Sequence, residues 1–257
     1  MRRRAGIIAL ELWLPVLVVA LWWTLTAGSD SLFWPPLGEI LEQIREEFIS
    51  SKVEENLLPS LGHLFAGFAI ASVAGVLLGL LLGLNRWVRS LVEPVVHFLR
   101  SLPPPALLPF AIVAFGIGSA MKIWVIAFAA FFPILLNTID GVRGRDPATI
   151  EVARAYRVPA WPRFTGIIVP AALPQIFAGL RVGLQTALLL MVVSELVAST
   201  GGIGFVILQS QQIFATSTMW AGIVVLGVLG YVLNWAFGQI ERRVLAWYFT
   251  THEVAVR

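Results

Sequence analysis

Arg181, Gln185, Leu188, Val192 and Glu195 recur at a helical period inside the apolar run 175–197, while Gly179, Gly183 and Ala187 fall on the opposite side. Ionisable groups in such a run are costly in lipid and persist where they face a bundle interior or a water-filled path. The polar stripe is therefore a candidate path for a charged solute, and the glycine side a packing face. Arg181 suits an anion; Glu195, near the end of the run, suits a gate or a hydrogen-bonding anchor. A second reading stands beside this one: Arg181 snorkels toward the cytoplasm, and Glu195 is satisfied by headgroups or by the backbone of the following Gly-rich loop.

Other chemistry is sparse. His63, His97 and His252 are scattered, none is read as pairing with a metal-ligand neighbour, and cysteine is absent. The Gly-Gly-Ile-Gly of 201–204 lacks the lysine and hydroxyl of a phosphate-binding loop, so turn chemistry explains it. No catalytic constellation is present, and we expect no enzyme activity, catalytic residue, cofactor site or metal site on this chain. The remaining polar feature is the island 146–174, with Arg154, Arg157 and Arg163 against Asp146 and Glu151. Asp146 followed by Pro147 predicts a helix start, and Pro159 predicts its end, because proline disfavours helical geometry at Val158. A second helix opens near Ala160 and runs to about Pro170. Tyr156, Val158, Trp161 and Phe164 are then apolar knobs around a sharp turn, a docking surface between two apolar runs.

The elements carrying these residues must be membrane helices. The 257 residues are 58% hydrophobic and 13% charged, with mean hydropathy +0.84, which no soluble domain hides. Spans are expected at about 7–27, 60–84, 106–118 after a proline break, 119–139, 175–197 and 219–239. The first starts after Arg2, Arg3 and Arg4 and is retained, with Glu11 close to its cytoplasmic end. Pro103, Pro104 and Pro105 break the third, with a surface helix before them. Gly67, Ala71, Gly75, Gly79 and Gly83 make one flank of the second span nearly smooth, for close helix packing. His63 is expected at the outer interface, and Lys122 is expected to snorkel there. Segment 29–59 has net charge −5 and an amphipathic stretch, Leu37, Ile40, Leu41, Ile44 and Phe48, at helical spacing. Fourteen Lys and Arg fall at the two ends of the chain and in the loops after the second and fourth spans, and three in the outer segments. Both termini and the loop 140–174 are thereby expected on the cytoplasmic side.

Glu151, Val152 and Ala153, then Ala155, Tyr156 and Arg157, then Ile168, Val169, Pro170, Leu173 and Pro174 resemble the Glu-Ala-Ala loop of bacterial ABC importer permeases. Val152 stands where that family has its first Ala, and Arg157 where it usually has Gly. The resemblance extends from about Trp22 to Trp247. Pro35-Pro36, LLLGLNRWVRSLVEP, SLPPPALLPFAIVAFGIG, AFFPILLNTIDGVR and ELVASTGGIG are similar to the nitrate, sulfonate and taurine branch. What the resemblance implies is a single all-α polytopic domain over 1–257, with about six transmembrane helices in the type I ABC importer permease fold, in the bacterial inner membrane. It further implies a path for a small, anionic solute, a second permease copy, two nucleotide-binding ATPase subunits that hold ATP and Mg, and an extracytoplasmic solute-binding protein. Lipid surrounds the chain, and no nucleic-acid partner is expected. Glu151, Ala153, Tyr156, Arg157, Val158 and Trp161 would couple to the ATPase; Arg181, Gln185, Val192 and Glu195 would line the path. For Arg157 we favour a surface charge at a turn that needs no positive φ over an ion pair with the ATPase, since exposed pairs contribute about 0–1 kcal/mol. A secondary transporter or channel that uses no ATP is the competing class, although no inverted repeat is visible.

Overall fold

The computed structural model describes residues 2–28, 31, 33–50 and 52–248, with the side chains of 2–12 and 15 outside the description. The expectations for Arg2, Arg3, Arg4 and Glu11 as side chains, and for His252, lie outside the described residues. Every regular element described is helical. The chain divides into two compact units, Met1–Leu58 with Gly201–Gly227 and Pro59–Thr200 with Val228–Arg257.

The first unit holds α1 (Arg2–Thr26), α2 (Leu37–Ile44) with a wide turn Arg45–Ile49, the short α3 (Val53–Asn56), α11 (Ile203–Gln212) and the start of α12 (Thr216–Val244). Pro35 and Pro36 open α2, and its apolar face buries Ile40, with Phe48 buried in the wide turn that follows. Ser217 donates to Glu39 and Thr218 to Gln43, each at 2.8 Å, so the amphipathic segment is tied to α12. Trp22, Trp34 and Trp220 cluster, with Trp22 edge-on to Trp220 at 4.8 Å, and the Trp220 indole donates to the Phe33 carbonyl. The Gly-rich stretch is a turn, as its composition predicts. Gly202 has φ +103°, a left-handed value that favours glycine, and its N–H reaches the Glu55 carbonyl at 3.1 Å.

The second unit is built around α7 (Ser119–Arg143). Along α4 (Leu58–Leu84), a Cβ at Gly67, Gly75, Gly79 or Gly83 would fall within 3 Å of Ile126, Ile134, Thr138 or Val142. Each partner lies 59 positions further on, so the glycine flank predicted from sequence packs parallel to α7 at backbone distance. On the other side, α10 (Val169–Val197) runs antiparallel: Gly179 meets Asn137 and Pro133, and Gly183 meets Ile134 and Ala130. A side chain at Gly79 has nowhere to go, with Thr138 Cβ 2.5 Å from the position of its Cβ. Gly79→Ala is therefore expected to cost about 1–3 kcal/mol, and unchanged thermal melting of that variant would refute the close contact.

Because α4 and α7 are parallel, residues 85–118 must return the chain along them. The return differs from the expected span at 106–118. Its first part is α5 (Arg86–Ser101), whose Val88, Val92, Val96 and Leu99 pack on Phe128, Phe131, Phe132, Leu135 and Ile139 of α7. The prolines then impose an 87° bend into the turn Pro104–Leu107 and α6 (Leu108–Phe115). Eight helical residues cover only about 12 Å, so α6 alone is too short to cross, and the helix expected on the surface supplies the rest. Its valine stripe decides this, since the stripe needs an apolar partner. Among the described residues, four helical stretches are long and apolar enough to cross a membrane: Val53–Leu84, Ser119–Arg143, Ala160–Val197 and Thr216–Val244. Counted as one broken span, the bent pair makes a fifth, and the apolar part of α1, Val16–Thr26, is shorter.

Candidate coupling turn and solute path

The turn in the polar island is formed by α8 (Pro147–Ala155) and the short α9 (Ala160–Arg163), which continues through a wide turn, Phe164–Ile168, into α10. Asp146 caps α8, accepting from the Ala148 N–H at 3.0 Å, the Thr149 N–H at 3.3 Å and the Thr149 hydroxyl at 2.9 Å. The Thr149 hydroxyl, then the Ala148 N–H, hold the Asp146 carboxyl below its ordinary value of 3.8. The cap's contribution is therefore complete above that value and is lost as pH falls through the lower folded one. The helix α8 ends in a paired closure: the Arg157 N–H reaches the Arg154 carbonyl and the Val158 N–H the Ala153 carbonyl, both at 2.9 Å. That closure requires a left-handed residue, and Arg157 supplies it with φ +53°.

The favoured reading of Arg157 is thereby corrected. The turn does need a positive φ, and arginine occupies it where glycine would be unstrained. Arg157→Gly is accordingly expected to stabilise the loop by about 1 kcal/mol, read as slower amide exchange over 147–158. Faster exchange would contradict it.

Closure of the turn sorts the predicted coupling residues. Glu151, Tyr156, Arg157 and Trp161 are exposed, Val158 is half-buried, and Trp161 leans on Phe164 with ring centroids 6.0 Å apart. Ala153 is buried at 4% exposure, so it seats α8 within the chain and presents no surface.

The predicted path residues do not share one open face. Gln185 is exposed beside Val182 and Leu189, and Val192 is half-buried. The Arg181 guanidinium pairs with the Glu241 carboxylate of α12, so its charge is largely neutralised within the chain. Glu195 is 1% exposed, with its carboxylate 3.9 Å from His63 Nδ1. His63 Nε2 lies 2.9 Å from the Ser119 hydroxyl, and the buried Lys122 donates to the Ser199 hydroxyl at 2.6 Å. His63 and Lys122, expected at the interface, are instead inside the unit. Sequence reasoning missed this cluster because its members come from three helices; the available signal was that each was expected near the same side of the membrane.

Sequence reasoning also missed the polar side of α5. Glu93, His97 and Arg100 line a cavity of about 200 Å³ with Asp140 and Arg143 of α7, and Glu93 and His97 stand 3.7 Å apart.

A membrane unit of close-packed parallel and antiparallel spans with a protruding helical turn invites comparison with known proteins. Residues 71–246 match the model of the binding-protein-dependent transport system inner membrane component family. The chain belongs to that family. Among relatives, it is 32% identical over 237 residues, 91% of this chain and 86% of the other, to a putative aliphatic sulfonates transport permease protein, SsuC, of Bacillus subtilis. It is 29% identical to the taurine transport system permease protein TauC of Escherichia coli, over 90% of this chain and 86% of that one. A bicarbonate transport system permease protein, CmpB, of Synechococcus elongatus is 35% identical over 73% of this chain and 68% of its own. Among solved structures, the inward-facing MetNI methionine ABC transporter superposes with a TM-score of 0.67 at 24% identity, covering 77% of this chain and 98% of that one. The fold is that of an ABC importer permease, and this permease is a transmembrane transport component of the inner-membrane class.

Proposed function

We propose that this permease forms, with a second copy of itself, the path of an ATP-driven importer for a small sulfonate-like anion. ATP and Mg bind on two partner ATPase subunits, and an extracytoplasmic solute-binding protein delivers the solute. The observation that carries the ATPase part is the turn after α8, where Tyr156 and Trp161 stand 82% and 72% exposed on a backbone fixed by two helix-closing hydrogen bonds. Large aromatics held rigidly outside a membrane span are what a partner's pocket binds tightly. Glu151 and Arg157 flank them as polar rim, and Val158 supports the turn. The anionic class rests on the relatives named for sulfonates, taurine and bicarbonate.

The path itself is assigned to the open face of α10, with Gln185 and Val192 lining it. Arg181, through Glu241, and Glu195, through His63 and Lys122, position the two ends of that helix. Both termini face the cytoplasm in this reading, supported by the excess of Lys and Arg there. Co-expression with the ATPase tests the reading: the two should copurify, and hydrolysis should rise when the loaded binding protein is added. Hydrolysis indifferent to this chain would refute it.

A further inference from the structure

Five arginines from four segments line one cavity of about 430 Å³ at the cytoplasmic ends of the spans of the second unit. Arg86 and Arg89 come from α5, Arg143 from the end of α7, Arg145 from the loop after it and Arg154 from α8. Glu151 is the single carboxylate in the lining, and among the described residues no carboxylate lies within 4 Å of any of the five guanidiniums. Arg145 is held by donating to the Val142 carbonyl at 2.7 Å. Burial, and then the neighbouring charges of Arg154 and Arg163, lower its hold on its proton. This is crowded positive charge, five guanidiniums against one lining carboxylate and none paired with it among the described residues, which favours an anion from outside the chain.

The position of the cavity identifies the anion. Gly83 and Leu84, the last residues of α4, form one wall, so the cavity sits where hydrocarbon gives way to headgroups. Beside it the outward face of α5 carries Trp87, Leu91, Val95 and Phe98, all exposed and all apolar, at a spacing that keeps them on one face. Arg86 stacks its guanidinium over the Trp87 ring at 4.8 Å, the arrangement of a residue pair at a lipid interface. We propose that this cavity binds the phosphate group of an anionic phospholipid of the cytoplasmic leaflet, with the acyl chains lying along the apolar face of α5. Guanidinium forks match phosphate oxygens two at a time, and the exposed aromatic and aliphatic residues beside them give the chains a place that a soluble phosphate compound cannot use. The cavity shares Glu151 and Arg154 with α8, beside the proposed coupling turn, so the test uses the permease without its ATPase.

The test is binding of short-chain phosphatidylglycerol to the full-length chain in neutral detergent, against short-chain phosphatidylcholine and inorganic phosphate. Arg89→Gln with Arg143→Gln removes two cavity charges whose side chains make no other bond in the structure. About fivefold per charge is expected at a lipid surface, hence about 25-fold weaker phosphatidylglycerol binding. Arg242→Gln with Arg243→Gln removes equal charge from the exposed end of α12 and should change binding by less than about threefold. Equal weakening in both double variants, or phosphatidylcholine binding as tightly as phosphatidylglycerol, would overturn the site. Inorganic phosphate binding as tightly as the lipid, with the same dependence on Arg89 and Arg143, would overturn the lipid source and leave a soluble phosphate site.

Discussion

Lys122→Met is expected to destabilise the detergent-solubilised permease by about 3 kcal/mol, and adding Glu195→Gln to recover more than half of the loss. Lys122, Glu195 and His63 are buried near the starts of α7 and α4 and the end of α10, where an ionised side chain left without its opposite charge has little water to turn to. Removing Lys122 alone leaves the Glu195 carboxylate beside the His63 imidazole. Removing both charges leaves a neutral site of similar volume. The comparison of the single and double variants by thermal unfolding separates charge from packing. Additive losses would show that Lys122 contributes only its apolar stem and its bond to Ser199.

The second large effect is expected at the coupling turn. Tyr156→Ala with Trp161→Ala should lower the ATPase activity stimulated by the loaded binding protein at least about tenfold, because truncating exposed aromatic anchors removes most of an interface's energy. Neither side chain is buried in the permease, so helix content and membrane levels should stay unchanged. Glu151→Lys should act in the same direction and less strongly, as a rim charge does. Full stimulation in the double aromatic variant would move the docking surface elsewhere. Bulky residues at Ala153 are unsuitable for this test, since Ala153 is buried and its enlargement would unseat α8 before reaching any partner.

Which features were legible in the sequence follows from how local their causes are. The Asp146 cap, the helix after it and the glycine flank of α4 are written in adjacent residues or in a fixed period, and sequence reading found them. The left-handed Arg157 was not legible, because residue type reports the cost of a conformation and not the hydrogen bonds that impose it. The Pro-rich break was read correctly, but the burden of the third crossing was assigned to 106–118. Four valine and leucine positions of α5 that need α7 as partner shift that burden to the charged helix before the prolines. The stripe on α10 failed as a single surface for a related reason: period tells which residues align, whereas neighbouring helices decide which are covered. Glu195 is covered and Gln185 is open.

Uptake by proteoliposomes tests directly whether this permease couples transport to ATP. Vesicles would carry this permease with its ATPase subunits facing the lumen, and radiolabelled taurine or another small sulfonate would be supplied outside with the binding protein. Accumulation should require both lumenal ATP and the binding protein, and fall to background with the Tyr156→Ala, Trp161→Ala variant. Accumulation that proceeds without ATP and follows an imposed proton or sodium gradient would contradict ATP coupling and identify a secondary transporter.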